Sequence, residues 1–567
     1  MKPPRLTRLR RPGTLLLVLL LICPPRNSGA ADNFGKNGAI ATVHPLATDA
    51  AVAAVRAGGN AVDAIVAAAL TLGVVDGQNS GIGGGCFLLI RTARGAVVAI
   101  DGRETAPGKA TRDMFIRDGK AVPELSLTGP LAIGVPGSLA AYEYALQHFG
   151  KLKLKDILRS SADVAERGFE LDSSYAARLR ATASELKQFP AARAIFLKVD
   201  GEPYGAGEVL RQPDLARSYR AIAKNGIDWF YKGEFARKIE AWMRENGGLL
   251  TAKDFRDYRI ALREPLRTLY RDFEIIGFPP PSSGGVHVAQ ILNILERLNL
   301  REYPAYSADE IHLVAEAMKL AFADRAFWLG DPDFVKVPRG LISREYAAVL
   351  AGRIDLQKAS TVKDHGKPDQ FSTSFFGKHT THFSAADAEG NWVACTATVN
   401  TSFGSKVVIP GTGIVMNNQM DDFSAQPGVP NYFGLPGAEA NAVAPGKRPL
   451  SSMSPTIVLR RGGKPILSLG AAGGPTIISQ TVINLINILD YNMDIEHALA
   501  SPRIHDQWKP DELRVEKIPD SIRLELERKG HKVVVVNSMG AAQIVAATTN
   551  GFTAAHDPRV NGKAAVW

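Results

Sequence analysis

Cysteine is nearly absent from this 567-residue chain, which contains only three. Cys23 lies in an N-terminal stretch that we expect to be removed, so Cys86 and Cys395 remain. Two cysteines are too few for the disulfide framework of a small secreted scaffold. Because both lie in apolar stretches, we expect two buried free thiols rather than a disulfide bond between them.

Long apolar runs are also missing. After the N-terminus, no stretch reaches the roughly 20 apolar residues that a membrane-spanning helix needs. Hydrophobic residues make up 45% of the chain and charged residues 22%. This balance is typical of a soluble globular protein rather than a disordered or fibrous one.

The first thirty residues differ from the rest. An apolar run at 15–22 follows a basic region and precedes the small residues at 28–30. The basic region contains Lys2, Arg5, Arg8, Arg10 and Arg11. This order describes a secretory signal, and the apolar run is short for a stable membrane helix. We therefore expect residues 1–30 to be a signal peptide and the protein to be exported, periplasmic or extracellular; an uncleaved anchor is the alternative.

The excess of positive charge belongs mostly to that segment. The chain has a formal net charge of +10, and residues 1–30 hold six basic and no acidic residues, which leaves +10 − 6 = +4. Such a small charge on a large protein gives no reason to expect a nucleic-acid partner.

Three common site signatures are missing. The glycine-rich turn at 81–85 lacks a following Gly-Lys-Ser/Thr and joins a helix to a strand, the reverse of a dinucleotide fingerprint. No Gly-x-Ser-x-Gly elbow supports a serine hydrolase. His379 and His382 have no cysteine or carboxylate near them in sequence, so they make a poor zinc site.

Periodicity predicts both helices and strands. Predicted helices cover 48–57, 61–74, 307–328 and 475–489, and Ser307 and Glu310 are expected to form a capping box at the start of the third. Predicted strands cover 86–91, 96–101, 380–386, 392–399 and 466–469, and a strand–helix–strand unit covers 513–536. We expect a turn at 470–474 and an exposed polar loop or linker at 358–378. The pattern favours stacked sheets enclosed by helices.

The strand that begins at Thr380 is chemically suggestive. A cut before Thr380 would give one residue both a hydroxyl and a free α-amine, whose reference pKa is about 8. Nucleophile and base would then belong to one residue. The same hydroxyl can attack the carbonyl of His379 to make the cut. Because two threonines at a strand start are also common in ordinary structure, this pattern alone does not decide.

A glycine pair precedes the helix predicted at 475–489. Gly473 and Gly474 come before Pro475, which suits the first position of a helix. Their N–H groups and the positive end of the helix dipole can hold an oxyanion, as acyl transfer requires. A tight strand-to-helix turn is the alternative.

Polar residues cluster between 417 and 452. Together with Arg103 they could bind a zwitterion: guanidinium and hydroxyl groups suit its carboxylate, and carboxylate and amide groups suit its ammonium. Solvated loop residues are the alternative.

Together these segments resemble the gamma-glutamyltransferase family of N-terminal-nucleophile hydrolases. The resemblance extends over nearly the whole chain after residue 30. Its motifs are GGNAVDA at 58–64, RETAP at 103–107, PPPSSGG at 279–285, GDPD at 330–333, TTH at 380–382, NNQMDDFS at 417–424 and RPLSSMSPT at 448–456.

The resemblance implies a four-layer αββα fold of the α/β class. It also implies self-cleavage between His379 and Thr380. A large subunit, 31–379, and a small subunit, 380–567, would remain associated as a heterodimer.

The resemblance further implies the reaction. Thr380 would attack the γ-amide carbon of glutathione or another gamma-glutamyl compound and form a γ-glutamyl ester. Water, an amino acid or a peptide would then accept the glutamyl group. By the family pattern Thr398 supports the nucleophile, and the backbone N–H groups of Gly473 and Gly474 form the oxyanion hole.

The donor's two charges would be bound separately. The resemblance assigns its α-carboxylate to Arg103, Ser451 and Ser452. It assigns the α-ammonium to three further residues: Asn400, Gln419 and Asp422. No metal or organic cofactor is expected.

One departure from the family pattern stands out, although Asp101-Gly102 and Ala471-Ala472 also differ from common versions. Phe433 occupies a lid-like stretch where bacterial members commonly have tyrosine, so we expect a looser lid and an altered balance between water and amine acceptors. Two alternatives to the implied function remain. In the first the chain acts on glutaryl side chains, which lack the α-ammonium, and in the second it is an inert secreted binding protein with the same fold.

Overall fold

The structure is a computed structural model that describes residues 34–368 and 381–567. The predicted signal peptide, His379 and Thr380 lie outside the described residues. Within the described part of the chain, no helix is long and apolar enough to cross a membrane.

One sheet contains seven strands and places the segment after residue 380 near its centre. Thr381–Asp387 pairs antiparallel with Gly38–Thr42 on one edge and with Trp392–Thr398 on the other. The strand order is Lys563–Val566, Gly38–Thr42, Thr381–Asp387, Trp392–Thr398, Gly85–Arg91, Val97–Gly102 and Ala261–Arg263.

A second sheet contains six antiparallel strands. Their order is Gly551–His556, Ala541–Thr548, Pro465–Ala472, Thr456–Arg460, Phe273–Gly277 and Leu266–Tyr270. A smaller sheet comprises Ile504–His505, Leu513–Val515 and Val533–Val535. Leu513–Val515 pairs parallel with Val533–Val535, as a strand–helix–strand unit requires.

The two large sheets pack face to face. Phe87 of the first sheet stacks on Phe278, which follows a strand of the second, with 4.2 Å between ring centroids. Trp392 and Ile457 belong to the same buried cluster. Such burial of apolar side chains between two sheets is the main source of stability for a sandwich.

Helices cover the outer faces of both sheets. Those packed with the core of the first sheet include Pro45–Arg56, Ala61–Val75, Ser138–Phe149, Leu154–Arg167, Ser173–Leu186, Pro190–Phe196, Pro213–Asn225 and Glu234–Asn246. Those packed with the core of the second include Ser283–Arg297, Ala308–Trp328, Arg344–Ala351, Thr476–Leu489, Ile495–Ala500 and Asp520–Arg528. The predicted four-layer αββα fold is confirmed.

Local expectations agree with the structure except in detail. The turn predicted at 470–474 is too long, because Ala541–Thr548 pairs with the preceding strand as far as Ala472. Ser307 caps the long helix as predicted, but the Glu310 carboxylate accepts from the N–H of Tyr306 rather than that of Ser307. Cys86 and Cys395 are buried free thiols, as expected.

The part of the predicted linker that the structure describes, 358–368, contains no helix or strand. It is less exposed than expected, because Val362 is buried and the carbonyl of Gly366 accepts a hydrogen bond from the Trp328 indole. Polar composition predicted the irregular backbone but not this packing against the long helix.

Candidate active site

Thr381, the first described residue after the proposed cut, is the first residue of a central strand. Thr381 pairs with Ala397, and Thr398 follows Ala397 directly. The Thr381 hydroxyl donates to Oδ2 of Asp76 at 3.2 Å. The Thr398 hydroxyl accepts from the backbone N–H of Asn400 at 2.7 Å. Thr398 therefore fixes the backbone where Asn400 adopts a φ of +82°, a conformation that asparagine tolerates better than most residues.

Gly473 and Gly474 connect the strand Pro465–Ala472 to the helix Thr476–Leu489. Their φ angles are +133° and +63°, which favour glycine. A Cβ on Gly474 would lie 2.8 Å from Cδ1 of Phe433, so the backbone also needs glycine for space. Among the described residues, neither N–H has a hydrogen-bond acceptor. Both are therefore available as donors beside a helix N-terminus.

Arg103 and Asp422 form a buried ion pair. Nη2 of Arg103 lies 2.6 Å from Oδ2 of Asp422, and both side chains are fully buried. The Gln419 amide donates to the same Asp422 oxygen at 3.1 Å. The sequence assigned Arg103 and Asp422 to opposite charges of one ligand, and the structure pairs them with each other.

Two further groups surround the Arg103 guanidinium. Its Nε donates to the carbonyl of Pro449 at 3.3 Å, and its Nη1 lies 3.4 Å from Oε2 of Glu104. Burial raises the pKa of Glu104 to about 8, although the charge of Arg103 opposes that shift. Asp422 is thus the closer of the two acidic partners.

Several residues of the predicted site have buried polar atoms without a partner among the described residues. Ser451 and Ser452 follow the segment that contacts Arg103, and both are fully buried. Within the described residues, Ser452 Oγ, Gln419 Oε1 and Asn400 Oδ1 have no hydrogen-bond partner. Because an unpaired buried polar atom costs about 1–3 kcal/mol, these atoms are typical of a site that a ligand completes.

Arg325 is a site candidate that the sequence did not reveal. It lies on the long helix, is 3% exposed, and donates from Nε to Ser283 Oγ at 3.3 Å. Burial lowers its pKa to about 9, and the charge of Asp422 opposes the shift. Its helix is buried on nearly all sides, so amphipathic spacing gave no signal for a functional arginine.

A cavity of about 420 Å³ lies beside the glycine pair. Its lining includes Thr381, Asn400, Gly473 and Gly474 of the predicted site region. The lining does not include Arg103, Gln419, Asp422, Ser451 or Ser452. The predicted residues are therefore divided between an open cavity and a buried polar cluster. The 400–422 segment contributes Asn400 to the cavity and Gln419 and Asp422 to the cluster.

The stretch around Phe433 covers one edge of this cavity. The Gln507 amide donates to the carbonyls of Phe433 and Gly434 at 3.1 and 3.3 Å. Tyr432 is 61% exposed and meets Phe433 edge to face. The Gln507 amide therefore anchors this stretch through main-chain carbonyls.

Elsewhere, the described residues include one group with metal-ligand spacing: His312, Glu316 and His531, with ligand atoms within 4.8 Å of one another. His312 Nδ1 and His531 Nε2 are already hydrogen-bonded at 2.7 Å. The Lys319 ammonium lies 3.0 Å from Glu316. Because a cation already neutralises the carboxylate, we assign no metal to this group.

Sequence comparison decides the family. The family model described as gamma-glutamyltranspeptidase matches residues 47–567. The chain belongs to the gamma-glutamyltranspeptidase family.

Relatives in this family are similar over most of the chain. The "Glutathione hydrolase proenzyme" of Escherichia coli strain K12 is 44% identical, and the match covers 94% of this chain and 93% of that protein.

Solved structures agree with the gamma-glutamyltranspeptidase assignment. The cephalosporin acylase of Bacillus halodurans superposes with a TM-score of 0.84 at 30% identity, covering 94% of this chain and 96% of that one. The gamma-glutamyltranspeptidase of Helicobacter pylori gives 0.54 at 37% identity, covering 58% of this chain and 91% of the solved chain.

Proposed function

We propose that this chain is a self-processing gamma-glutamyl hydrolase and transferase that acts on glutathione or related donors. The observation that carries the proposal is the buried Arg103–Asp422 pair, bordered by hydroxyl and amide groups. A γ-glutamyl end carries one carboxylate and one ammonium on the same carbon, so it matches this pair charge for charge. The relative from Escherichia coli named glutathione hydrolase supports this substrate class.

Donor binding would exchange one ion pair for two. The α-carboxylate takes Arg103 with help from Ser451 and Ser452, and the α-ammonium takes Asp422, Gln419 and Asn400. Each buried charge keeps a partner throughout, which matters because an uncompensated buried charge costs about 3–5 kcal/mol. A neutral amide that separated Arg103 from Asp422 would leave both protein charges unsatisfied, so it is rejected.

Processing would precede catalysis. The chain is cut between His379 and Thr380, and the fragments 31–379 and 380–567 remain associated. The word proenzyme in the name of the Escherichia coli relative supports such a cut. The Helicobacter pylori chain supports it too, since 91% of that chain covers only 58% of this one, as expected of one processed fragment.

In the reaction Thr380 supplies both the nucleophile and the base. The Thr380 hydroxyl attacks the γ-carbonyl carbon while the Thr380 α-amine accepts the hydroxyl proton. The N–H groups of Gly473 and Gly474 stabilise the oxyanion. Thr398, which holds the Asn400 backbone, supports the nucleophile from the adjacent strand. The leaving amine takes the proton, and water or an acceptor amine later releases the glutamyl group.

Export completes the proposal. We assign residues 1–30 to a signal peptide, so the enzyme would meet glutathione and acceptor amines in the periplasm or outside the cell. No metal or organic cofactor enters the reaction.

A second candidate is an acylase for glutaryl side chains, favoured by the match to the cephalosporin acylase. The test compares γ-glutamyl-p-nitroanilide with glutaryl-p-nitroanilide, which differ only in the α-ammonium. We expect kcat/KM at least about tenfold higher for the γ-glutamyl compound, since Asp422 and Gln419 pair that ammonium. The reverse order would favour the acylase, and turnover of neither would favour an inert binding protein.

A further inference from the structure

The cavity beside the glycine pair provides a space separate from the donor's buried cluster. Its volume of about 420 Å³ lies within the range of ligand pockets, roughly 300–1,000 Å³. It extends from Gly473 and Gly474 to the start of the helix Ser173–Leu186. A second substrate bound here would lie next to the proposed reaction centre.

Arg178 lines this cavity and, among the described residues, forms no ion pair with a carboxylate, although its charge acts on the buried Asp76. Nη1 of Arg178 donates to Oδ1 of Asn79 at 3.0 Å and to Oγ of Ser402 at 3.3 Å. Among the described residues, no carboxylate lies within 4.0 Å of the Arg178 guanidinium. Its remaining N–H groups can therefore bind a carboxylate in the forked geometry that arginine offers.

The other charged groups in the lining are already engaged. Asp172 caps its helix by accepting from the N–H of Tyr175 at 2.7 Å. Arg559 donates to the carbonyls of Leu499 and Ser501 and pairs with two acids. Burial lowers the pKa of His44 to about 4, so its imidazole is neutral. Arg178 is thus the cation in the lining with capacity for a ligand anion.

Acceptors suited to an amine line the same cavity. Asp76 accepts from the Gln78 and Asn79 amides at 2.7 and 2.8 Å and from the Thr381 hydroxyl at 3.2 Å. Among the described residues, Gln78 Oε1 and the Tyr175 hydroxyl are buried without hydrogen-bond partners. The lining therefore offers oxygen atoms for an N–H group near Thr381 and a guanidinium for a carboxylate.

We propose that Arg178 is a specificity-determining residue of the transfer step and that it favours acceptors with a free carboxylate by pairing with that carboxylate in this cavity. The inference rests on the proposed function. In the transfer step the acceptor's neutral amine attacks the γ-glutamyl ester. The new C–N bond forms, the bond from carbon to the Thr380 oxygen breaks, and the amine proton passes to that oxygen.

The test uses the full-length processed enzyme with γ-glutamyl-p-nitroanilide as donor. The acceptors are glycylglycine and glycylglycine amide, which differ only in the terminal carboxylate. The variants are Arg178→Gln and Arg178→Lys. Arg180→Gln is the matched control, because Arg180 is exposed on the same helix and does not line the cavity. The acceptor KM and the ratio of transfer to hydrolysis are measured for each protein.

Wild type and Arg180→Gln should bind glycylglycine about tenfold better than its amide, the low end for a hydrogen bond to a charged group. Arg178→Gln should abolish this preference and lower the ratio of transfer to hydrolysis, and Arg178→Lys should restore part of it. Equal KM values in wild type, or a preference that survives in Arg178→Gln, would overturn the inference alone. If wild type releases no nitroaniline even without acceptor, the proposed function fails and this inference falls with it.

Discussion

Arg103 and Asp422, two residues 319 positions apart, are joined by a 2.6 Å ion pair in which both side chains are fully buried. Each charge satisfies the other before any substrate arrives. A ligand that carries both charges can pair with both residues, so neither protein charge is left unpaired. A ligand with one charge leaves one protein charge without a partner. In the proposed function, the pair therefore allows a buried site to select a zwitterion.

Removing one member of this pair should damage donor binding. Arg103→Gln leaves the Asp422 carboxylate without its cation and removes the carboxylate-binding group, so we expect the donor KM to rise at least about tenfold. The measurement is steady-state hydrolysis of γ-glutamyl-p-nitroanilide. Arg94→Gln, in an exposed hairpin turn, is the control and should match wild type. An unchanged KM in Arg103→Gln would remove Arg103 from the donor site.

Replacing Arg325 should lower the activity without lowering the stability of the protein. Arg325→Met removes a buried charge with no carboxylate within 4.0 Å among the described residues, so the melting temperature should stay or rise. The kcat/KM for the γ-glutamyl donor should fall about tenfold or more, because the positive charge behind Asp422 and Ser283 is lost. Arg325→Lys should retain part of the activity. Full activity in Arg325→Met would show that the residue is only structural.

The residue at 433 should affect acceptor choice. Phe433 packs over Gly474, and a hydroxyl on its ring adds a hydrogen-bonding group to the stretch that Gln507 anchors. We expect Phe433→Tyr to change the ratio of hydrolysis to transfer, measured with glycylglycine as acceptor. The same ratio in both proteins would contradict a role for this ring in controlling water access.

The pH dependence of stability should contain a contribution from Asp76. Burial raises its pKa from 3.8 to about 7, so the folded state holds a proton that the unfolded state releases. Stability should therefore fall as the pH rises between about 4 and 7. Between pH 5 and pH 8, the melting temperature of Asp76→Asn should fall less than that of wild type. Asp118→Asn, on an exposed turn, should behave as wild type, and equal losses in all three proteins would contradict this assignment.

Much of the architecture could be predicted from local sequence. The strands at 381–387 and 392–398 have local strand propensity with a turn signal between them, and Ser307 marks the start of the long helix; tertiary packing does not override these signals. The end of the strand at Ala472 could not be predicted, because the neighbouring strand Ala541–Thr548 fixes it. Likewise, composition marked 358–368 as irregular but gave no sign that Val362 is buried.

The site could be predicted in part. Motifs identified Arg103 and Asp422 as candidates, but only the fold shows that they pair with each other. Arg178 and Asp76 carry no motif, and their role depends on a cavity formed by segments far apart in sequence. Arg325 was hidden because nearly every face of its helix is buried.

The most direct test of the account is intact-mass analysis of purified wild type beside Thr380→Ala. Self-cleavage by Thr380 predicts two polypeptides from wild type, the smaller beginning at Thr380, and a single uncut chain from Thr380→Ala. A wild-type chain that stays whole, or is cut at another bond, or a Thr380→Ala chain that is still cut before residue 380, would contradict the proposal that Thr380 generates its own nucleophile.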